Sequence, residues 1–217
     1  MPKLTKMSVS KRPPQFYSPF RYPGGKSWLL PVVGIWLRSL HNRTRLCEPF
    51  AGGASVGLFT GIEGLAESVY FCEQEPRLAD FWRTVFSPGG AERLATRVET
   101  FYFTETKVRR LLAEEAARAI SEDRAFLTLL RNRVSRAGLL APGAGLLRSG
   151  EAGKGLASRW YPATLAARLR LIAEHRKRFQ LDSEDGFTQL AQRSCAVRTV
   201  WFIDPPYPKA GGAIFIL

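Results

Sequence analysis

The chain has 217 residues, enough for one substantial domain or for one core with a helical insert. Hydrophobic residues make up 45% and charged residues 24%, a globular composition that excludes a wholly disordered chain. Lysine and arginine number 32 against 19 aspartate and glutamate, so the formal net charge is +13. A bias of this size indicates a polyanionic partner, either nucleic acid or an anionic membrane surface.

The N-terminal arm, residues 1–18, is basic and is not followed by the apolar stretch of a secretory signal. No apolar run approaches the ~20 residues of a membrane helix. The cysteines are odd in number and lack CxxC spacing, which predicts buried, reduced thiols and a cytoplasmic protein; they are Cys47, Cys72 and Cys195. With only two histidines in the chain, we expect no metal site built from His and Cys.

Helical and strand patterns alternate through the first part of the chain. In chain order they predict a helix over 27–40, a strand over 45–49, a helix over 55–65, a strand over 68–73 and a helix over 80–86, before a break at 87–90. This strand–helix alternation predicts an α/β fold with a parallel, doubly wound sheet.

The composition changes after Ala91, where the chain becomes helix-forming and rich in arginine. Residues 107–178 hold 16 Lys and Arg against 6 Asp and Glu, a net charge of +10. A glycine-rich loop over 138–155 interrupts this stretch, and a helix is predicted to restart over 161–179. The apolar run 199–203 then predicts a buried strand.

Four segments carry residues suited to chemistry. The first is CEPFAGGASVGL, from Cys47 to Leu58, in which a strand leads through a glycine loop into a helix. Such a loop lets the backbone approach a ligand, and the helix N-terminus offers N–H groups to it. An ordinary tight turn is the alternative.

The second is Glu73, at the end of the second strand and 20 residues after Gly53. An acid at this position can accept hydrogen bonds from ribose hydroxyls, as in dinucleotide-binding folds. Glu75 is a rival for that role, and a solvated strand-end carboxylate is the structural alternative.

The third segment is Asp204-Pro205-Pro206-Tyr207, directly after the last predicted strand. The two prolines fix φ and remove two N–H donors, so the turn offers only acceptors, the Asp204 carboxylate and the Pro205 carbonyl. Acceptors alone suit an NH₂ donor, and Tyr207 adds a flat face on which a base can stack. The alternative is a proline-stiffened turn with an exposed acid.

The fourth segment is Phe20 to Lys26, FRYPGGK, just before the first predicted helix. Its glycines permit close approach, and Lys26 provides a point charge for a carboxylate. An N-terminal helix loop with a surface lysine is the alternative.

Together the four segments resemble the Dam-like adenine-N6 DNA methyltransferases. The matching order is RYPGGK (21–26), EPFAGGASVGL (48–58), an acid-ended strand, a basic insert and DPPY (204–207). The insert carries a further family-like stretch, LRNRVSRAG (130–138). The resemblance covers about residues 20–207. One departure is Ala54, where many members carry a second spaced glycine.

The resemblance implies a Rossmann-like S-adenosylmethionine-dependent methyltransferase sheet with a helical, basic DNA-recognition insert. Residues 1–100 would form the cofactor-binding part of the core, 101–180 the target-recognition insert and 181–217 the remainder of the core. The chain ends ten residues after Tyr207, whereas family members continue well beyond this motif, so we expect the sheet to be incomplete at its C-terminus.

The resemblance also implies roles for individual residues, with S-adenosylmethionine as the cofactor. Glu73 would take the ribose hydroxyls, Lys26 would lie by the methionine part, and Asp185 would contact the adenine, with Asp182 as a neighbouring alternative. The full cofactor set is Tyr22, Gly25, Lys26, Glu48, Phe50, Gly52, Gly53, Glu73 and Asp185. The catalytic set is Asp204, Pro205, Pro206 and Tyr207.

The implied function is transfer of a methyl group to N6 of a flipped-out adenine in double-stranded DNA. We expect no metal and no membrane partner, and a companion restriction endonuclease is a candidate partner. Candidates for phosphate or guanine contact are Arg131, Arg133, Arg136, Arg148, Lys154 and Arg159. Solubilising charge on helix faces is the expectation for Arg168, Arg170, Arg176 and Lys177. Two alternatives stay open: a truncated, inactive DNA-binding remnant, and an RNA amino-methyltransferase.

Overall fold

The computed structural model describes residues 16–21, 25–40, 45–114, 121–136, 145–193 and 198–205. Within these ranges the fold is α/β. Its helices are α1 (Leu30–Ser39), α2 (Ser55–Ile62), α3 (Pro76–Phe86), α4 (Gly90–Thr100), α5 (Glu105–Ala113), α6 (Ser121–Val134), α7 (Pro162–Glu174) and α8 (Gly186–Arg193). Its strands are β1 (Arg45–Glu48), β2 (Ser68–Cys72), β3 (Phe179–Asp182) and β4 (Thr199–Trp201).

The four described strands form one parallel sheet in the order β3-β2-β1-β4. The predicted parallel α/β sheet is therefore confirmed, and it is compatible with a Rossmann-like fold. The chain moves outward from β1 through β2 to β3 and then returns to the other side of β1 to form β4. In sheets of this kind ligands bind at the carboxyl ends of the strands where the order reverses, here between β1 and β4.

Both faces of the central strands are buried, which explains their nearly continuous apolar sequences. Val69 and Phe71 belong to the main core, whereas Cys47, Tyr70 and Cys72 form a small cluster of their own. Alternate residues of a strand point to opposite faces, so these two clusters lie on opposite sides of the sheet. Cys47 and Cys72 are buried, as predicted.

The predicted helix over 161–179 is wrong at its C-terminal end. Helix α7 ends at Glu174, and Phe179 begins β3, which pairs with β2 and which the periodicity did not indicate. The ring of Phe179 packs against Phe71 and Phe86 in the core. Long-range packing therefore overrides the local helical pattern at this point.

Helix α3 begins earlier than the predicted residue 80. It starts at Pro76, whose missing N–H costs nothing in the first turn, and the Glu75 side chain caps it by accepting from the Leu78 N–H at 2.8 Å. Glu75 is therefore committed to the helix terminus.

The basic helices are packed onto the sheet-covering helices and share one buried cluster with them. Rings of Phe101, Phe103, Phe126 and Trp160 meet inside this helical part. Arg170 of α7 pairs with two glutamates of α4, so part of the positive charge ties helices together rather than facing a partner. In the described part of the chain, every helix is too short or too polar to cross a membrane.

Gly57 allows α2 to lie directly on the sheet. A Cβ at this position would stand 2.2 Å from Phe71 Cε1 and 2.6 Å from Glu48 Oε2. We expect Gly57→Ala to lower the free energy of unfolding by about 1–3 kcal/mol, because the buried side chains of Phe71 and Glu48 would have to move. Urea denaturation followed by circular dichroism measures this effect.

Gly145→Ala is the matched control, because a Cβ there meets only Arg136 side-chain atoms at 3.7 Å or more. Equal stability losses in the two variants would show that close packing at Gly57 is not the cause.

Candidate functional site

The candidate site lies where β1, β2 and β4 end at the same edge of the sheet. The turn at Gly52 and Gly53 follows β1, Glu73 follows β2, and Asp204 lies three residues after the end of β4. The Phe202 N–H donates to the Cys47 carbonyl at 2.8 Å, so the chain after β4 stays beside β1. The topology brings together segments that the sequence keeps about 150 residues apart.

Two side chains fix the glycine turn by donating hydrogen bonds to its carbonyl groups. The Trp82 indole N–H donates to the Gly52 carbonyl at 3.0 Å, and the Ser18 hydroxyl donates to the Gly53 carbonyl at 2.5 Å. Gly52 and Ala54 have φ of 48° and 53°, in the left-handed region that favours glycine. The position at which Ala54 departs from the family pattern is therefore one that favours glycine.

The Glu73 carboxylate is built into this turn. It accepts from the Gly52 N–H at 2.7 Å and from the Glu75 N–H at 2.8 Å, one bond for each oxygen. Burial raises the pKa of Glu73, and the two backbone N–H bonds oppose that shift. Each carboxylate oxygen can accept a second bond, so Glu73 can also take hydroxyl donors. Because Glu75 caps α3, Glu73 is the better candidate of the two acids for accepting hydroxyl donors from a ligand.

Lys26 and Asp204 form an ion pair, with Nζ and Oδ2 2.6 Å apart. The side chains are 8% and 22% exposed, so the pair is largely shielded from water. Lys26 opens a short 3-10 turn that leads into α1. The family resemblance implies that Lys26 lies by the cofactor; here its ammonium group lies on the carboxylate of the predicted catalytic set.

Glu48 is the buried acid of the site. It is 4% exposed, and its Oε2 accepts from the Gly57 N–H at 2.8 Å, at the start of α2. Burial raises the pKa of Glu48 to about 8, and the negative charges of Asp204 and Glu73 add to the shift. Lys26 and the Gly57 N–H act in the opposite direction. Glu48 is therefore mainly protonated at neutral pH.

Helix α8 places Asp185 next to the end of β1. A Cβ on Gly186 would stand 2.2 Å from the Pro49 carbonyl oxygen, so the backbones are in contact there. The rings of Phe50 and Phe187 lie 5.0 Å apart between centroids. Asp185 accepts from the Thr188 N–H at 3.3 Å, as a helix cap does.

Asp182, the alternative to Asp185, is committed to the protein itself. It accepts from the Tyr70 hydroxyl at 2.7 Å, the Glu184 N–H at 3.0 Å and the Gln189 amide at 3.2 Å. Asp185 contacts fewer protein groups than Asp182 does, so more of its acceptor capacity remains for a ligand.

Residues 17–21, which we name the N-terminal strap, cross from the helical insert to the glycine turn. Asn132 holds the Arg21 backbone from both sides, at 2.9 Å and 2.8 Å. Arg133 donates to the Pro19 carbonyl, and Arg168 donates to the Ser18 carbonyl at 2.8 Å. Sequence reasoning missed Ser18, Trp82 and Asn132 as site residues, although Asn132 lies inside the family-like stretch 130–138.

The six predicted nucleic-acid contacts fall into two groups. Arg136, Arg148 and Lys154 are exposed. The other three contact protein carbonyls or acids: Arg131 bonds the Leu112 carbonyl, Arg133 the Pro19 carbonyl, and Arg159 bonds Glu151 and the Ser135 carbonyl.

Arg133 is 5% exposed. Burial lowers its pKa to about 9, and the nearby charges of Arg168 and Arg21 contribute to the shift. Its position favours a structural role over phosphate contact. The surface role expected for Arg168 is wrong, because this side chain is half-buried and bonds the strap.

Tyr22, Pro206, Tyr207 and Cys195 lie outside the described residues. Gly25 is described and stands directly before the turn that Lys26 opens. Among the described ranges, no cluster of His, Cys, Asp or Glu side chains could hold a metal ion.

Comparison of the chain with protein-family models gave no match, and comparison with curated protein sequences gave none either.

The buried proton of Glu48 predicts a specific pH dependence of stability. An unfolded glutamate ionises near 4.5 and the folded one near 8, so the folded state binds an extra proton between these values. The contribution of Glu48 to stability is fully present below 4.5 and is lost as the pH rises through 8, by up to ~1.4 kcal/mol per pH unit.

We expect Glu48→Gln to flatten this part of the profile, because the amide does not titrate and its oxygen still accepts from Gly57. Urea unfolding at a series of pH values from about 5 to about 8 measures the slope for both proteins. An unchanged slope in the variant would assign the dependence to other groups.

Proposed function

We propose that this chain is an adenine-N6 DNA methyltransferase that uses S-adenosylmethionine. The observation that carries the proposal is the Lys26–Asp204 pair at the point where the strand order reverses. The carboxylate of Asp204 accepts a hydrogen bond from the Lys26 ammonium group, at the same edge of the sheet as the glycine turn. An acceptor that holds an amine at the ligand-binding edge of an α/β sheet fits a reaction on an exocyclic NH₂.

The residues around the glycine turn have the chemical groups that S-adenosylmethionine needs. Glu73 keeps acceptor capacity for ribose hydroxyls, and the described end of β1 leads into a rigid turn with two left-handed residues. Phe50 lies against Gly186 and Phe187, the two residues that follow Asp185, so Phe50 and Asp185 would bind the adenine ring and its amino group. The cofactor supplies a methyl group on a positively charged sulfur.

The chain's own residues would activate the target amine. The lone pair of the adenine N6 is delocalised into the ring, so the free amine is a weak nucleophile. Hydrogen bonds from its two N–H groups to the Asp204 carboxylate and the Pro205 carbonyl would localise the lone pair and orient it. Asp204 is then also the group through which the proton lost from N6 can leave.

The exposed cations suit the DNA side of the reaction. Arg136 lies two residues after the end of α6, and residues 145–147 run beside 134–136 through bonds between Arg136 and Gly145 and between Leu147 and Val134, 2.9 Å and 2.8 Å long. Arg148 follows directly. Arg136 and Arg148 are therefore close to one another just beyond α6 and would contact neighbouring phosphates.

Replacement of Asp204 tests the mechanism. We expect Asp204→Ala to lower methyl transfer by about 10²–10³-fold, as loss of one preorganised transition-state contact does. Transfer is measured with radiolabelled S-adenosylmethionine on genomic DNA that lacks adenine methylation, and duplex binding by fluorescence anisotropy. Binding should stay within about twofold of the parent protein, because Asp204 opposes a polyanion rather than attracting it.

Asp123→Asn is the matched control, because this acid pairs with Arg97 between helices, away from the sheet edge. Transfer that survives Asp204→Ala would contradict the mechanism. DNA binding without transfer by the parent protein would identify a DNA-binding protein instead, and preference for structured RNA in competition would identify the RNA alternative.

The exposed cations Arg136, Arg148 and Lys154 predict a salt-dependent affinity for duplex DNA. We expect Arg148→Ala and Lys154→Ala each to reduce the slope of log affinity against log salt by about 1. The slope comes from anisotropy titrations at several salt concentrations. Lys177→Ala, an exposed cation in the turn before β3, is the control, and an equal reduction there would mean that binding is diffuse.

A further inference from the structure

Four arginine side chains come together where the N-terminal strap is bonded to helices α6 and α7, a set that we name the arginine cluster. Its members are Arg21 of the strap, Arg133 of α6, Arg168 of α7 and Arg159 of the short turn before α7. Burial lowers the pKa of Arg133, and the charges of the other three arginines lower it further. All four guanidinium groups are therefore within range of one another's charge.

The described contacts of the cluster are few in acids. Arg133 and Arg168 donate to the neighbouring Pro19 and Ser18 carbonyls, on the backbone of the strap. Arg21 and Arg159 share one acid, because each contacts the same oxygen of Glu151, at 3.2 Å and 3.1 Å. Four cations and one carboxylate leave a net charge of +3 in this cluster.

The charge of Arg133 is the least compensated of the four. It is 5% exposed, and within the described ranges it bonds a carbonyl group and no carboxylate. Its Nε is buried and has no hydrogen-bond partner in that part of the chain. A buried cation without a counter-ion is unfavourable, so a negatively charged ligand beside it would stabilise the fold.

A ligand can reach the cluster from solvent. The Arg21 side chain is 43% exposed, and Tyr161, which lies near Arg133, is 49% exposed. Arg168 is half-buried. Guanidinium groups carry N–H donors in a planar fork that matches the oxygens of a phosphate group, and bonds to a charged oxygen are the stronger kind. The number and type of these donors therefore favour phosphate as the ligand.

We propose that the arginine cluster binds one phosphate group. Arg21, Arg159 and Arg168 would donate to its oxygens, and Arg133 would attract it from the protein interior without leaving the strap. The phosphate is a free ion or a phosphodiester of a nucleic-acid backbone. The second source rests on the proposed function, because it makes the cluster part of the DNA-binding surface, whereas phosphate binding itself does not.

Thermal unfolding measures phosphate binding without any assay of activity. We expect about 10 mM sodium phosphate to raise Tm by about 3–6 °C over sodium chloride of equal ionic strength and pH, as a ligand at about ten times its Kd does. Arg168→Gln removes one charged donor, so it should weaken phosphate binding about tenfold and reduce the rise in Tm to about a third.

Arg170→Gln is the matched control, because Arg170 lies two residues later on the same helix and already pairs with Glu92 and Glu99. It changes the net charge of the chain by the same amount, and it should keep the full phosphate-dependent rise. Phosphate also stabilises proteins through its exclusion from their surface, and this effect is equal in both variants. Equal rises in Arg168→Gln and Arg170→Gln would therefore contradict a site at the cluster.

Replacement of the shared acid should have an effect of opposite sign. Glu151→Gln removes the carboxylate that competes with phosphate for Arg21 and Arg159, so we expect the Kd for phosphate to fall about threefold. Isothermal titration calorimetry with inorganic phosphate measures this Kd. Glu151 is exposed, so this variant tests the site even should Arg168→Gln fail to fold. An unchanged or higher Kd would show that these two arginines do not contact the anion.

Competition separates the two sources of phosphate. If the cluster binds a backbone phosphodiester, about 10 mM phosphate should weaken duplex binding at least about threefold relative to chloride of equal ionic strength. Fluorescence anisotropy measures this change, which should be smaller in Arg168→Gln. Duplex binding that phosphate leaves unchanged would assign the site to free phosphate and overturn the DNA source.

This proposal and the proposed function fail in different experiments. Phosphate-dependent stabilisation of a protein that transfers no methyl group would overturn the proposed function and leave the phosphate site in place. Methyl transfer by a protein that phosphate stabilises no more than chloride does would overturn the phosphate site and leave the proposed function in place.

Discussion

The buried ion pair between Lys26 and Asp204 is the contact on which the candidate site depends. Two charges removed from water are stable only when their geometry is good and further bonds support them. Here the backbone next to each of the two residues is fixed by its own contacts. Phe202, just after β4 and two residues before Asp204, bonds β1 through its N–H, and Lys26 begins the 3-10 turn that leads into α1. The pair therefore reports that the early and late parts of the chain are correctly placed together.

The proton on Glu48 belongs to the same balance of charge. Glu48 feels the negative charges of Asp204 and Glu73 and the single positive charge of Lys26, and one cation cannot compensate three carboxylates. Glu48 is the most deeply buried of them, so it is the one that keeps its proton at neutral pH. The neutral Glu48 still accepts from the Gly57 N–H, and it leaves Lys26 to pair with Asp204. Close packing at Gly57 and charge at Asp204 are linked in this way.

The sequence predicted the strands β1, β2 and β4 and the positions of the acids that follow them, because alternation of apolar strands with glycine turns is a local pattern. It missed β3, since Phe179 is fixed by rings far away in the chain. It also missed Ser18 and Asn132, because their partners are backbone groups that any residue carries. A side chain that bonds a distant backbone leaves no complementary residue type in the sequence.

Helix α6 joins the two halves of the proposed activity in one rigid element. Its buried face holds the strap through Asn132, and the exposed Arg136 follows two residues after its end. The helix packs on α3, whose Trp82 bonds the glycine turn, so α6 and the turn have a fixed relation on two independent routes. On the proposed function, binding energy gained at the phosphates would then be directed to orienting the extruded base.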